Sequence, residues 1–479
     1  MKTPLKTSLR KQTPICKKET RACELAKHAI YDYKKSKSTA MKLNQLLLLG
    51  VYFIGISSIE AQEKTSLTLD EAIHMAWSKS NEVNLANSKV NSSKYELQSK
   101  KNTQYPDMKL SGQYQNFINP AVDVKFKQSG TPFPIGNQLL IGQINANLPV
   151  FAGFKTQNYI NISENLYKAE TATAAQTKEE IAMRVVNYYA SLYKAQKTLE
   201  LIKDNQKQAE QRVVDFIELE KNGIIPRNDL LKSQLQVSKI QLSIDEMNNN
   251  LNVVNYYLVS LLKLPAGTKL IINESDFSNF QMNNIPRDEK PALENRKDLE
   301  AMRFQEKARE AGVKMARGSY YPAVSILGGY TSLGLENVIT VQNAMNFGVG
   351  VSYDLSGIFK NGTNVKIAES KSLEAQNYKE ILTDNIKIQV KKAIEDYDLA
   401  LKQNEVYLEA AAQSSENYRI VKDKYDNGLS NTNDLLEADV EQLSSKINNA
   451  LARANIIQKY YELLSVTGQL SQTFNLSKI

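Results

Sequence analysis

Two long stretches of the chain carry apolar residues at alternating spacings of four and three. In the second half this stripe runs from Ile386 to Tyr425, and a shift of 205 positions brings it onto a stripe that begins at Ile181. A repeat of 3.5 residues held over about five heptads predicts a coiled-coil seam. The two helices, 156–222 and 362–427, would each extend roughly 100 Å at ~1.5 Å per residue.

Two shorter helical segments, 227–263 and 432–466, follow the long ones and are expected to return alongside them. They are shorter than their partners, so other helices must cover the remaining length. The candidates are 70–104 and 292–318. Each half of the chain thus contains a long helix, a turn and a return helix.

Four segments alternate with a period of two, which indicates strands rather than helices. They are 108–117, 140–148, 323–333 and 346–355. In the last of them Phe347 and Val349 point to one side, and Asn346 and Gly348 point to the other. A Tyr-Pro pair precedes the first strand of each half, Tyr105-Pro106 and Tyr321-Pro322.

Strands of about ten residues have the length that crosses an outer membrane at a tilt, with apolar positions toward lipid. The edge of a periplasmic sandwich would show the same alternation, but strands interrupted by helices of about 100 Å cannot form a sandwich. Four strands cannot close a barrel either, because the smallest barrels have about eight. Closure would need strands from more than one chain. The loop 118–137 would face outward, and the second hairpin loop, 334–342, is shorter.

The long helices end in two similar phrases, NGIIPRNDLL at 222–231 and NGLSNTNDLL at 427–436. Glycine adopts the left-handed conformation that follows many helices, so both phrases predict a helical hairpin turn. Asp229 and Asp434 fall in the first turn of the returning helices, where capping and the helix dipole favour a carboxylate. The apolar residues at the turn either contact the preceding helix or dock a partner.

The formal charge of +8 comes from the first forty residues, which hold eleven Lys/Arg and three Asp/Glu. The other 439 residues carry 49 basic and 49 acidic groups, so the body of the protein offers no footprint for nucleic acid. Residues 41–61 have the pattern of a signal peptide, with cleavage after Ala61. We therefore interpret 1–40 as an upstream extension that is not part of the native protein, the alternative being a real basic extension. The mature chain then divides into a first repeat, 62–286, and a second repeat with the C-terminal segment, 287–479.

The sequence offers no candidate for catalysis, for a cofactor or for a metal. Both cysteines, Cys16 and Cys23, lie in the first forty residues, and His74 is the one histidine of the mature chain. No metal constellation and no Cys-His or Ser-His pairing can be assembled from these residues. We predict that the protein is not an enzyme.

The chain resembles the TolC-like outer-membrane efflux protein family over essentially all of its mature length. The resemblance rests on the duplicated halves, the opening LTLDEAIHMAWSKS at 67–80, the two Tyr-Pro pairs and the turn phrase. It implies a mainly α fold with membrane β-structure. A long coiled-coil α-helical barrel would be continuous with a β-barrel of four strands per protomer, twelve-stranded in a homotrimer.

The same resemblance implies an outer-membrane channel that serves as the exit duct of a tripartite efflux or type I secretion system. Such a channel lies in the cell outer membrane, contacts its lipid, extends into the periplasm and has a gated entrance there. Its partners would be a periplasmic adaptor (membrane fusion) protein and an inner-membrane transporter of RND or ABC type. The alternative is a periplasmic coiled-coil scaffold or adaptor that conducts nothing, although adaptors usually carry compact β-domains that are missing here.

In this family the last turn phrase lies at the periplasmic mouth, and acidic residues after it narrow the entrance. The matching gate residues here are Tyr425, Asp434 and Glu437. In a trimer the two carboxylates would form a cation-attracting ring or a repulsive constriction. A basic residue that some members place after the glycine is absent from this chain. The candidate adaptor contacts are the residues of both tips, Gly223, Ile224, Ile225, Gly428, Leu429 and Ser430.

Overall fold

The computed structural model describes residues 64–118, 136–278, 280, 282 and 285–474. The predicted extension 1–40, the predicted signal peptide 41–61 and residues 119–135 of the predicted outward loop lie outside the described residues.

Helices and strands follow one another in the predicted order. The helices are α1 (Leu69–Lys79), α2 (Asn81–Asn102), α3 (Lys155–Lys221), α4 (Arg227–Leu262), α5 (Ser275–Ser278), α6 (Lys290–Asn295), α7 (Lys297–Arg317), α8 (Gly357–Asp426), α9 (Thr432–Val466) and α10 (Leu470–Thr473). The strands are β1 (Lys64–Ser66), β2 (Asp107–Asn116), β3 (Gln138–Ala152), β4 (Lys269–Ile271), β5 (Ala323–Leu335) and β6 (Ile339–Ser352).

The two long helices, α3 with 67 residues and α8 with 70, confirm the predicted coiled-coil elements. The return helices α4 and α9 pack along them, and α2 and α7 cover the part that the return helices do not reach. The two long helices differ in burial, since α3 has 21 buried residues and α8 only eight. Along α8 large apolar side chains remain exposed within one chain, among them Leu373, Ile381, Ile388, Leu399 and Val406.

The main core lies midway along the helices, where α1, α3, α4, α8 and α9 meet. Tyr189, Leu192, Leu258 and Leu463 are each at most 1 % exposed there. A small parallel pair that the sequence analysis missed, β1 with β4, packs onto this core. Three residues per strand are too few to produce a readable alternation.

One carboxylate is buried beside this core. Glu179 of α3 is 4 % exposed, and its Oε1 accepts a hydrogen bond of 2.8 Å from the Ser471 hydroxyl. Burial raises the pKa of Glu179, and it outweighs the Ser471 hydrogen bond and the nearby charges of Lys297 and Arg296, which lower it.

The predicted helices 70–104 and 292–318 are each divided in two. The first breaks at Ser80, which ends α1 and caps α2 by accepting a bond of 3.2 Å from the Glu82 N–H. The second breaks at Arg296, 216 positions later, which is also the spacing between the two Tyr-Pro pairs. The break is therefore part of the duplicated architecture. Helix α8 also begins at Gly357, five residues before the predicted start.

Strands β2, β3, β5 and β6 form one antiparallel sheet in that order, so that β2 and β6 are its edges. The prediction of a loop at 334–342 was wrong. Gly334 pairs with Thr340 and Leu335 with Ile339, which leaves a turn of three residues around Asn337 at φ 58°. An asparagine tolerates this left-handed conformation better than most residues, so the strands can pair nearly to their ends.

The two faces of the sheet differ in chemistry. Directly paired residues share a face, and one such row consists of Leu110, Ile144, Tyr330 and Met345. Leu110 and Met345 are 79 % and 82 % exposed, so this face is apolar and uncovered. The adjacent row, on the opposite face, consists of Lys109, Asn145, Gly329 and Asn346.

The strands and the helices meet where two backbone segments approach each other closely. A Cβ at Gly153 would lie 2.2 Å from the Gly318 carbonyl oxygen, so glycine permits the two backbones to approach here. The next residue, Phe154, adopts φ 62° before α3 and packs edge-on against Phe151 and Tyr321 at centroid distances of 5.1 and 6.2 Å. Within the described ranges no helix is both long and apolar enough to cross a membrane.

Candidate functional site at the helical tips

The two hairpin tips end their long helices with the same hydrogen bonds. Gly223 and Gly428 have φ of 72° and 73°. The Ile224 N–H donates to the Leu219 carbonyl at 2.9 Å, and the Leu429 N–H donates to the Lys424 carbonyl at 2.7 Å. Each pattern is a Schellman motif, which satisfies the last carbonyls of a helix. The glycines therefore have the predicted structural role in both copies.

The second tip starts its return helix with a reciprocal capping box. Asn431 Oδ1 accepts a bond of 3.1 Å from the Asp434 N–H, and Asp434 Oδ2 lies 3.5 Å from the Asn431 N–H. The Ser430 hydroxyl also donates to Asp434 Oδ2 at 2.9 Å. The carboxylate thus stabilises the start of α9, as expected for a first-turn aspartate.

The first tip does not repeat this arrangement, although Asp229 also lies in the first turn of its helix. Pro226 precedes α4 and offers no side chain for capping. Asp229 instead turns toward the other hairpin, where its Oδ2 accepts a bond of 2.8 Å from the Thr432 hydroxyl. Lys232 lies 3.4 Å from the same carboxylate. Thr432 is 2 % exposed, so a nearly dry hydrogen bond connects the two repeats.

Aromatic and aliphatic side chains surround this bond. Tyr425 stacks on Phe216 at a centroid distance of 5.7 Å, and its hydroxyl lies 3.5 Å from Thr432 Oγ1. Leu230 and Leu435 complete the buried centre of the tip. Burial raises the pKa of the Tyr425 hydroxyl, which stays protonated at neutral pH. Tyr425 therefore belongs to the packed contact between the hairpins.

A second connection between the repeats lies further along the helices. Arg212 of α3 donates to Asp439 of α9 at 3.1 Å, and the two side chains are only 9 % and 1 % exposed. Arg212 also donates to the Tyr418 hydroxyl at 3.2 Å, and Asn205 donates to the second oxygen of Asp439 at 3.1 Å. Burial is the largest single influence on the pKa of Arg212 and lowers it, but the charge of Asp439 and the hydrogen bonds to Asp439 and Tyr418 together outweigh burial, so the pKa lies above its ordinary value.

The sequence analysis missed this ion pair and the role of Thr432. One signal was available for the ion pair, because Asp439 follows Leu435 by four residues and so lies on the inward face of α9. A charge at such a position usually has a buried partner. The identity of that partner, 227 positions earlier, could not be read from the spacing.

The remaining predicted site residues are at the surface. Asp434 and Glu437 are exposed on α9, one turn apart. Ile224 and Leu429 are 67 % and 78 % exposed, as a contact site for a partner requires. Ile225 differs from them, because it is half-buried and packs into the centre of the tip.

A groove lies between α3 and α8 beside the tips. Its volume is about 510 Å³, and its walls include Gln211, Asp215, Phe216, Lys422 and Tyr425. Its walls combine aromatic rings with charged and polar side chains. Among the residues that the structure describes, no group of three or more His, Cys, Asp or Glu side chains could hold a metal ion.

The outer membrane efflux protein family model matches the chain twice, over residues 72–255 and 290–469. These two stretches cover well over half of the chain, and each falls within one repeat. The chain belongs to the outer membrane efflux protein family. Proteins of this family are channels, so the chain is an outer-membrane efflux channel and not an enzyme.

Solved structures of bacterial membrane proteins share the fold. A membrane protein from Pseudomonas aeruginosa matches with a TM-score of 0.75 and 16 % identity, over 84 % of this chain and 92 % of its own. The Campylobacter jejuni CmeC outer membrane channel matches with a TM-score of 0.71 and 16 % identity, over 84 % and 86 %. The open state of the Neisseria gonorrhoeae MtrE outer membrane channel gives 0.70 and 15 %, over 84 % and 89 %. No curated protein sequence matches the chain. The predicted TolC-like fold class, with two repeats, is confirmed.

Proposed function

We propose that this efflux channel is the exit duct of a tripartite efflux or type I secretion system, with an entrance that opens and closes at the helical tips. The single observation that carries the proposal is the pair of tips. They have the same turn geometry, they are joined by the buried bond from Thr432 to Asp229, and they leave Asp434 and Glu437 exposed beside it.

We propose a homotrimer in the cell outer membrane. The four-stranded sheet has two unpaired edges, and three copies would supply twelve strands, enough to close a barrel. The exposed apolar row of the sheet, with Leu110 and Met345, would face the lipid, and the row with Asn145 and Asn346 would face the lumen. The aromatic cluster would lie at the periplasmic surface of the outer membrane, where aromatic residues are common; it consists of Phe151, Phe154 and Tyr321.

The helices would cross the periplasm toward partners in the inner membrane. Each long helix extends about 100 Å at ~1.5 Å per residue. We infer a periplasmic adaptor (membrane fusion) protein as the direct partner and an inner-membrane transporter of RND or ABC type behind it. A scaffold without conducting activity would not need a sheet that exposes a row of apolar side chains. We also infer that the repeats occupy 62–286 and 287–479.

At the entrance we propose two separate roles for the tip residues. Asp434 and Glu437, repeated three times around the axis, would set the charge of the mouth. Tyr425 would hold the hairpins together through its stack on Phe216. The exposed Ile224 and Leu429, with the turns Gly223 and Gly428 and the neighbouring Ile225 and Ser430, would form the contact with the adaptor.

Conductance in a planar lipid bilayer tests the charged mouth. We expect the double substitution Asp434→Asn and Glu437→Gln to reduce cation selectivity, because it removes the charge and keeps an acceptor for the capping box. Asp426→Asn is the control, since Asp426 is exposed near the same tip but paired with Lys422 at 2.9 Å. If the double variant conducts and selects like the control, the proposed entrance is wrong.

A further inference from the structure

The two unpaired edges of the sheet, β2 and β6, belong to opposite ends of the duplicated chain. We propose that β2 of one copy pairs antiparallel with β6 of a second copy in one defined register, with Ser111 opposite Ser352. This inference rests on the proposed homotrimer and adds to it the alignment of the strands across the interface.

The register follows from the internal duplication. Strand β5 corresponds to β2 with a shift of 216, which aligns Gly328 with Gly112 and Tyr330 with Tyr114. Strand β6 corresponds to β3 with the shift of 205 that aligns the two Phe-Lys pairs, at 154–155 and 359–360.

Within one chain, β3 pairs with β5. Strand β3 is the second strand of the first repeat, and β5 is the first strand of the second repeat. The equivalent contact from the second repeat back to the first is missing in one chain. A second copy supplies it.

Transferring the observed pairs gives the new ones directly. Asn147 faces Leu327 in the chain, and the corresponding residues are Ser352 and Ser111. In the same way the pair of Asn145 with Gly329 becomes Gly350 with Gln113, two residues further along each strand.

The faces of the two strands agree with this register. It places Tyr114 opposite Val349 and Leu110 opposite Tyr353, the first residue after β6, and all four side chains are exposed in a single copy. A shift by one residue would set these apolar side chains against the polar face, because side chains alternate along a strand. The apolar face of the sheet therefore continues without interruption from one copy to the next.

The charges agree as well, and they distinguish this register from those shifted by two. Lys109 of one copy lies opposite Asp354 of the other. Both residues are exposed. Asp354 Oδ1 accepts hydrogen bonds from the Ser356 N–H at 3.0 Å and the Ser356 hydroxyl at 2.7 Å, which leaves its Oδ2 for Lys109. A shift by two residues would place Lys109 opposite Ser352 or Ser356 instead, which removes the complementary charge.

The correspondence between the β3–β5 contact within one chain and the β6–β2 contact between copies holds for the strands and does not extend into the helices. The close contact of Gly153 with Gly318 corresponds across the copies to Ile358 and Asn102. Both of these carry side chains, so the two backbones must be farther apart there than within one chain. The register can therefore be read from the strands alone.

Cysteine crosslinking measures the register. The full chain has two cysteines, Cys16 and Cys23, and replacing both by Ser gives a parent without thiols. Each variant of this parent carries Ser111→Cys on β2 and one further cysteine on β6, at a position on the same face of the sheet as Ser111. The three choices are Ser352→Cys, Gly350→Cys and Gly348→Cys. Disulfides are read as covalent multimers on a non-reducing gel after mild oxidation of the assembled protein in membranes. The matched control holds Gln113→Cys fixed and moves the second cysteine through the same three positions.

We expect the strongest crosslink with Ser352→Cys for the first series and with Gly350→Cys for the second. Gly348 lies four residues from the predicted partner of Ser111, or about 13 Å along the strand. That distance prevents a disulfide, so the crosslinked fraction should fall at least about tenfold.

A maximum at another position, or no crosslink in a protein that still purifies as a trimer, would overturn the register and leave the channel proposal intact. A parent that purifies as a monomer from mild detergent would overturn the trimer itself.

Discussion

The hydrogen bond from Thr432 to Asp229, 2.8 Å long, joins the two hairpin tips directly. Thr432→Val removes the hydroxyl and keeps nearly the same shape, so the buried site remains filled. We propose that this bond holds the proposed entrance closed, and we expect the substitution to shift the entrance toward its open form. The capping of α9 should not change, because Asn431 and Asp434 provide it.

The size of the effect follows from the environment of the bond. A hydrogen bond to a charged group contributes about 1.5–3 kcal/mol. Asp229 is 17 % exposed and keeps Lys232 at 3.4 Å, so it recovers part of the loss from water and from the lysine. We therefore take the lower end, about 1.5 kcal/mol per copy, which corresponds to roughly tenfold in the equilibrium between closed and open tips.

Single-channel recording in a planar bilayer provides the measurement. We expect Thr432→Val to raise the open probability at least about tenfold, the factor that the loss of one of the three bonds supplies. Thr432→Ser is the matched control, because it keeps the donor and loses one methyl group. The reasoning fails if Thr432→Val opens no more often than Thr432→Ser while both variants assemble normally.

Three further predictions concern other parts of the molecule. Asp439→Leu leaves Arg212 charged and buried, which should cost about 3–5 kcal/mol of stability and lower the temperature of heat dissociation. Adding Arg212→Met should restore most of that stability. A double variant as unstable as the single one would contradict this prediction. Burial raises the pKa of Glu179, so its stabilising contribution is complete below the unfolded value of 4.5 and is lost as pH rises through the folded pKa. Glu179→Gln should therefore lose less heat stability than the parent between pH 4 and pH 8, and identical pH profiles would refute the assignment. Leu429→Asp should weaken adaptor binding without changing assembly, because the side chain is 78 % exposed, whereas Ile225→Asp should destabilise the tip itself; binding and heat dissociation measured on both variants separate the two effects.

The elements with a long, regular pattern could be predicted from the sequence. The heptad stripe located α3 and α8, and the period of two located the four strands, because each pattern reports a face that must be buried or exposed. The helix break at Arg296 was missed because neither glycine nor proline marks it. A break of this kind depends on how α2 and α7 pack against the long helices, which no local pattern records.

The candidate site could be predicted only in part. The glycines of the tips were recognisable, since a turn that needs a positive φ favours this residue. The partner of Asp229 was not, because Thr432 lies 203 positions away in the other repeat and no local spacing connects the two residues. Pro226, which cannot cap through its side chain, was the one local sign that the copies differ.

The unequal burial of the two long helices determines how the protein can fold. Helix α3 buries more of its residues within one chain, whereas α8 still exposes Leu373, Ile381 and Ile388 along much of its length. In the proposed homotrimer α8 completes its packing against another copy, so the stability of this half would depend on the concentration of chains. A newly exported chain that meets no other copy would keep an apolar stripe in water, at risk of aggregation. Assembly is thus the last step of folding for α8, and we expect dilution of dissociated copies to unfold α8 before it affects α3.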